Sequence, residues 1–137
     1  MAEYITIESQ ALTRAIAAIV SAGGSSATEA QQVAESLVGA NLTGHDSHGV
    51  GMIPRYVESR LEGGLLVDRQ PSVKMDSGVL LALDGERGYG QTIGKAAMAM
   101  GIARAREHGA CIMTLANAHH LGRIGQDHVA LGLRFQG

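Results

Sequence analysis

Val79-Leu-Leu-Ala-Leu83 and Ala110-Cys-Ile-Met-Thr-Leu115, with an Ala- and Met-rich stretch from Gln91 to His108 between them, decide the fold. The two short apolar runs read as strands, and the long segment between them reads as a helix that Gly109 stops. Strand, helix, strand is a βαβ unit, whose two strands run parallel. A continuous apolar run such as 110–115 is expected to be buried on both faces. Upstream, Val73 to Met75 is a further strand, paired as a hairpin around Asp76-Ser77-Gly78. The fold class is therefore α/β.

The N-terminal half has a helical period. Leu12, Ile16, Ile19 and Val20 form one apolar stripe, which Gly23-Gly24 ends. Ser26-Ala-Thr-Glu29 has the pattern of a capping box, and Val33, Ala34, Leu37, Val38 and Asn41 continue one face of a second helix. After the polar break at Thr43-Gly44-His45-Asp46-Ser47, a third helix is expected to start near Ser47 or His48. Val50, Ile53, Val57 and Leu61 would form its core face, and Gly63-Gly64 would end it. Residues 1–70 are thus a helical segment and 71–137 an α/β segment.

Composition excludes several classes of function. A net charge of -2 gives no broad electrostatic grip on nucleic acid. No apolar run reaches the roughly 18 residues needed to cross a membrane. The N-terminus lacks a secretory pattern, and the single Cys111 has no partner for an internal disulfide, so the cytoplasm is the expected compartment.

In open α/β sheets, ligands sit beyond the carboxyl ends of the strands. That position is held by Asn117-Ala-His-His-Leu-Gly-Arg-Ile-Gly125. Imidazole exchanges protons near neutral pH, which suits acid/base work at His119 or His120. A second cluster, His45-Asp46-Ser47-His48, reads either as a hydrogen-bonding pocket edge with Tyr56 or as a helix cap beside an ordinary histidine. His45, His48, His119 and His120 together could also form a small metal-binding module, although no HExxH or cysteine pair supports one. Gly85-Glu-Arg-Gly88-Tyr-Gly90 could cradle phosphate, but its G-x-x-G-x-G order favours a plain strand-to-helix turn. Asp127 and His128 read as solvated helix positions.

Two long signatures carry a resemblance. Asn41-Leu-Thr-Gly-His-Asp-Ser-His-Gly-Val-Gly-Met-Ile-Pro-Arg-Tyr56 and Asn117-Ala-His-His-Leu-Gly-Arg-Ile-Gly125 resemble those of the malate/L-lactate dehydrogenase family, the non-Rossmann 2-hydroxyacid dehydrogenases. The details look most like its hydroxycarboxylate dehydrogenase B branch. The resemblance implies NAD or NADP as cofactor, a small 2-oxo or 2-hydroxy acid as substrate, and a homodimer in full-length form. By position it implies His120 as general acid/base and Ser47, His48 and Tyr56 in the substrate pocket. It also places His48, His120 and Gly122 at the cofactor; no metal is expected, since the residue patterns of a metal site are missing.

Two departures stand out. Met52 occupies a position where many family members carry an arginine that clamps the substrate carboxylate. Arg55 or Arg123 is then expected to supply the cation, for a substrate with an apolar or aromatic side group. The sequence after Gly125 also fits the family poorly, and family members are more than twice as long. The expectation is a truncated or frameshifted frame, with an open sheet edge, a tendency to associate and little turnover alone. A non-catalytic remnant is the corresponding alternative.

Overall fold

A computed structural model of the chain describes residues 5–125. Four helices, α1 (Ser9–Ala22), α2 (Ala27–Leu42), α3 (Ile53–Leu61) and α4 (Gly90–His108), accompany three strands, β1 (Ser72–Ser77), β2 (Leu80–Asp84) and β3 (Ile112–Ala116). The sheet order is β1-β2-β3, antiparallel between β1 and β2 and parallel between β2 and β3. The α/β class and the β2-α4-β3 unit are as the sequence indicates. Residues 127 and 128 lie outside the described range.

The larger core lies among the N-terminal helices. Ile16 and Val20 of α1 meet Val33, Ala34 and Leu37 of α2 and Ile53 and Tyr56 of α3, with Leu65 and Tyr89 added from beyond. Burying an aliphatic side chain of this size contributes roughly 1.5–3 kcal/mol. Tyr89 precedes α4, so the α/β segment supplies part of the helical segment's core.

The third helix departs from expectation. Residues 46–48 and 50–52 form two separate 3-10 turns, and α3 starts only at Ile53. Pro54 sits in its first turn, where no backbone N–H is required. The later start changes the inward face to Ile53, Tyr56 and Ser59, leaving Val57 and Leu61 exposed at 41% and 83%. Tyr56 takes the interior position because its ring buries more area and its hydroxyl finds partners there.

The capping box is also only half formed. Ser26 Oγ accepts the Glu29 amide at 3.3 Å, but the Glu29 carboxylate turns to the Asp68 amide at 2.8 Å. Asp68 replaces it, accepting the Ser26 amide at 2.9 Å. The hairpin reverses one step later than expected, at Gly78-Val79, since β1 runs through Asp76 and Ser77.

α4 covers one face of the sheet, with Ala97 and Met100 against Leu81, Leu83, Met113 and Leu115. The other face presents Met75, Leu80 and Ile112, the last 64% exposed. β3 therefore alternates between exposed and half-buried residues instead of being buried on both faces. Among the described residues no helix is long and apolar enough to cross a membrane.

Asp68→Ala is expected to destabilise the chain by about 1 kcal/mol, the cost of an unpaired helix-start amide. Asp68→Asn retains an acceptor and tolerates the residue's φ of 53°. Urea unfolding should therefore separate the two variants, and equal losses would remove the capping role.

Candidate active site

The parallel strands β2 and β3 end side by side, Asp84 opposite Ala116, and the chain beyond them is stitched together. The Gly85 amide donates to Ala116 O at 2.8 Å, the Arg87 amide to Asn117 O at 2.8 Å, and the His119 amide to Gly88 O at 3.0 Å. Asn117 Nδ2 donates to Asp84 Oδ1 at 3.0 Å. Together with the Gly88 amide, which bonds Gly85 O, these contacts occupy loop amides that a phosphate would need. The loop is a strand-to-helix turn whose glycines serve close packing. A Cβ on Gly85 would lie 2.8 Å from Ala118, and one on Gly90 would lie 2.2 Å from the His120 carbonyl oxygen. The His119-His120 segment thus rests on the backbone that opens α4.

The opposing segment is held by the end of α2. Asn41 Oδ1 accepts the Val50 amide at 2.8 Å, and Asn41 Nδ2 donates to Asp46 Oδ1 at 2.7 Å. This pins the two 3-10 turns that carry Ser47 and His48. Ser47 Oγ lies 2.9 Å from His48 Nδ1. Arg123 Nη1 reaches across to Thr43 Oγ1 at 2.9 Å, tying the histidine loop to the same region.

Tyr56 joins the two sides. Its ring is 1% exposed, yet its hydroxyl lies 2.8 Å from His120 Nδ1 and 2.6 Å from Gln91 Nε2. The ring meets those of Tyr89 and His119 edge-on, at 5.7 and 5.5 Å between centroids. His48 and His120 stack at 5.4 Å, both half-buried, with Ser47 exposed beside them. Ser47, His48, Tyr56 and His120 are therefore one contiguous cluster. His48 and Met52 do not share a helical face with Tyr56, because α3 starts only at Ile53; the two 3-10 turns bring His48 to its place.

Other expected residues lie around this cluster. Arg55 is exposed on α3, close enough for its charge to act on His119. Met52 packs against the helical core. Gly122, at φ 70°, is buried, and a Cβ there would lie 3.3 Å from the Gln91 amide nitrogen. Gln91 itself escaped the sequence reading, since a glutamine in the first turn of a helix carries no motif. The metal-module alternative finds no support: among the described residues no three His, Cys, Asp or Glu side chains are grouped to hold an ion.

Burial and the neighbouring His48 hold the His120 pKa below its usual 6.5. Burial, His120 and Arg55 do the same for His119. Burial pushes the Tyr56 phenol up to about 12. The two rings are therefore neutral and the phenol protonated around pH 7. As pH falls through about 6.5 the unfolded chain takes up these protons first, so stability should decline toward pH 5.5. Urea unfolding at both pH values should show that decline, reduced in a His119→Asn/His120→Asn variant. An unchanged decline in the variant would remove these two rings as its cause.

Comparison with known proteins agrees with this architecture. The family model for malate/L-lactate dehydrogenase matches residues 7–130. Hydroxycarboxylate dehydrogenase B of Escherichia coli O157:H7 is 44% identical over 118 residues, which cover 86% of this chain and 33% of that protein. L-lactate dehydrogenase of Cupriavidus necator is 44% identical over 98 residues, covering 70% of this chain and 28% of that one. The solved structure of malate dehydrogenase from Pyrococcus horikoshii superposes with a TM-score of 0.85 at 30% identity, over 93% of this chain and 36% of that one. The chain thus spans about a third of the length of these relatives, and it belongs to the malate/L-lactate dehydrogenase family.

Proposed function

We propose that this chain carries the proton-transfer side of an oxidoreductase that interconverts 2-hydroxy and 2-oxo acids, with His120 as general acid/base. The observation that carries the reading is the fixed imidazole. Its Nδ1 is held by a buried phenol, and its Nε2 has no hydrogen-bond partner among the described residues. Such a ring is oriented on one side and available on the other. His120 Nε2 takes the hydroxyl proton as hydride leaves C2 of the substrate; in reverse it returns a proton to the keto oxygen.

Ser47 and His48 line the substrate beside it, and Tyr56 orients the ring. Arg55 is the better candidate for the substrate carboxylate, because Arg123 already bonds Thr43. The apolar Met52 in place of a clamp favours a substrate with an apolar or aromatic side group. A nicotinamide, NAD or NADP, supplies the hydride acceptor when bound. The half-exposed His48 and His120 pair offers flat faces suited to a planar ring, whereas the 85–88 loop offers little to its phosphates, its amides being taken. Gly122 contributes by leaving room for Gln91.

Oxamate, an unreactive 2-oxo acid analogue, should perturb the ring signals of His48 and His120 in nuclear magnetic resonance spectra of the purified chain. An Arg55→Ala variant should bind it more weakly. No perturbation of these rings at saturating oxamate would sink the reading. The chain alone is expected to oxidise NADH slowly or not at all with 2-oxo acids, and brisk turnover would overturn that expectation. In any turnover measured, His120→Ala should lower kcat roughly a hundred- to ten-thousand-fold.

A further inference from the structure

We infer that Gln91 is a positioning residue: it turns its carbonyl toward the Tyr56 hydroxyl and so keeps the His120 proton on Nδ1, leaving Nε2 as the base. This rests on the reading of His120 as the proton-transfer group.

The argument begins with two contacts in series, Gln91 amide to Tyr56 hydroxyl at 2.6 Å and Tyr56 hydroxyl to His120 Nδ1 at 2.8 Å. The two ends of an amide have the same shape, so distance and chemistry must tell them apart. A separation of 2.6 Å is short for N–H···O, which spans about 2.7–3.2 Å, and ordinary for O–H···O, which spans about 2.5–3.0 Å. The atom facing the phenol is therefore best read as the carbonyl oxygen. With the nitrogen facing the phenol, Gln91 Oε1 is left buried without a partner, and turning the amide gives that oxygen the phenol's proton.

A phenol has one proton to give. Given to Gln91, it leaves the Tyr56 oxygen to accept from His120 Nδ1–H. Gln91 is 6% exposed, which keeps water from replacing it. This direction also survives the proposed reaction: Nδ1–H donates to Tyr56 whether the ring is neutral or protonated, so a proton cycles at Nε2 with no other group moving. The opposite direction would require both the phenol and the buried amide to turn over in each cycle.

Free imidazole favours the proton on Nε2, so the inferred state is diagnostic. Long-range ¹H–¹⁵N correlation spectra of the chain, with His120 assigned by the signal lost in His120→Ala, should show neutral His120 protonated at Nδ1. Gln91→Leu and Tyr56→Phe should each move the proton to Nε2. Gln91→Glu, read at a pH where its carboxylate is ionised and can only accept, should keep it on Nδ1. Neutral His120 protonated at Nε2 in the unaltered chain overturns the inference, whether or not the variants fold. So does a folded Gln91→Leu variant with an unchanged tautomer. Oxamate binding with an Nε2–H ring would preserve the substrate site while rejecting both the wiring and Nε2 as the base. An Nδ1–H ring in a chain that ignores oxamate would support the wiring and reject the function.

Discussion

The hydroxyl of Tyr56 is the point on which both layers depend. Its ring is built into the helical core, while its oxygen meets a histidine 64 positions later that arrives from the end of the sheet. A hydrogen bond made by a buried hydroxyl contributes about 0.5–1.5 kcal/mol, so the core around this residue is more stable when the 117–125 loop is in place. The reverse also holds. The loop has little core of its own, and its position is set by Tyr56, by the Gly90 backbone and by Arg123 on Thr43. Fold and site therefore share their contacts.

That sharing explains the glycines. The loop from Gly85 to Gly90 lies beneath the histidines, and side chains there would strike Ala118 and the His120 carbonyl. Glycine is used here for close approach between backbones. The hydrogen bonds from this loop to Ala116 and Asn117 complete the platform. Asp84, accepting the Glu86 amide and the Asn117 side chain, has its carboxyl pKa lowered by those two bonds, so it stays charged and keeps accepting around neutral pH.

What the sequence disclosed follows from what leaves a periodic trace. The βαβ unit was legible because Val79–Leu83 and Ala110–Leu115 are apolar runs on either side of a helix-length segment. The histidine loop was legible because strand ends predict where it must emerge. The phase of α3 was not, because two 3-10 turns break the helical count before Ile53, and hydrophobicity alone ranks Leu61 above Tyr56 for the interior. Asp68 as a cap was hidden for a different reason: it lies 42 residues from Ser26, and only tertiary folding brings it there. Gln91 was hidden because its importance lies in a buried contact with Tyr56. The apolar run of β3 suggested two covered faces, whereas the described residues cover one.

The nature of the partner to His120 has an electrostatic consequence. A carboxylate hydrogen-bonded to Nδ1 would stabilise the imidazolium and raise the ring's pKa. A phenol backed by an amide orients the ring without adding negative charge, because burial holds the phenol's own ionisation at about 12. With no charge to favour its protonation, the ring responds to burial and to His48, both of which lower its pKa. Under the proposed role, the neutral site is a base ready for a 2-hydroxy acid, while the protonated ring needed for 2-oxo acid reduction becomes more populated as pH falls. The buried phenol that joins the two layers thus orients the histidine without opposing the bias that burial and His48 give its proton.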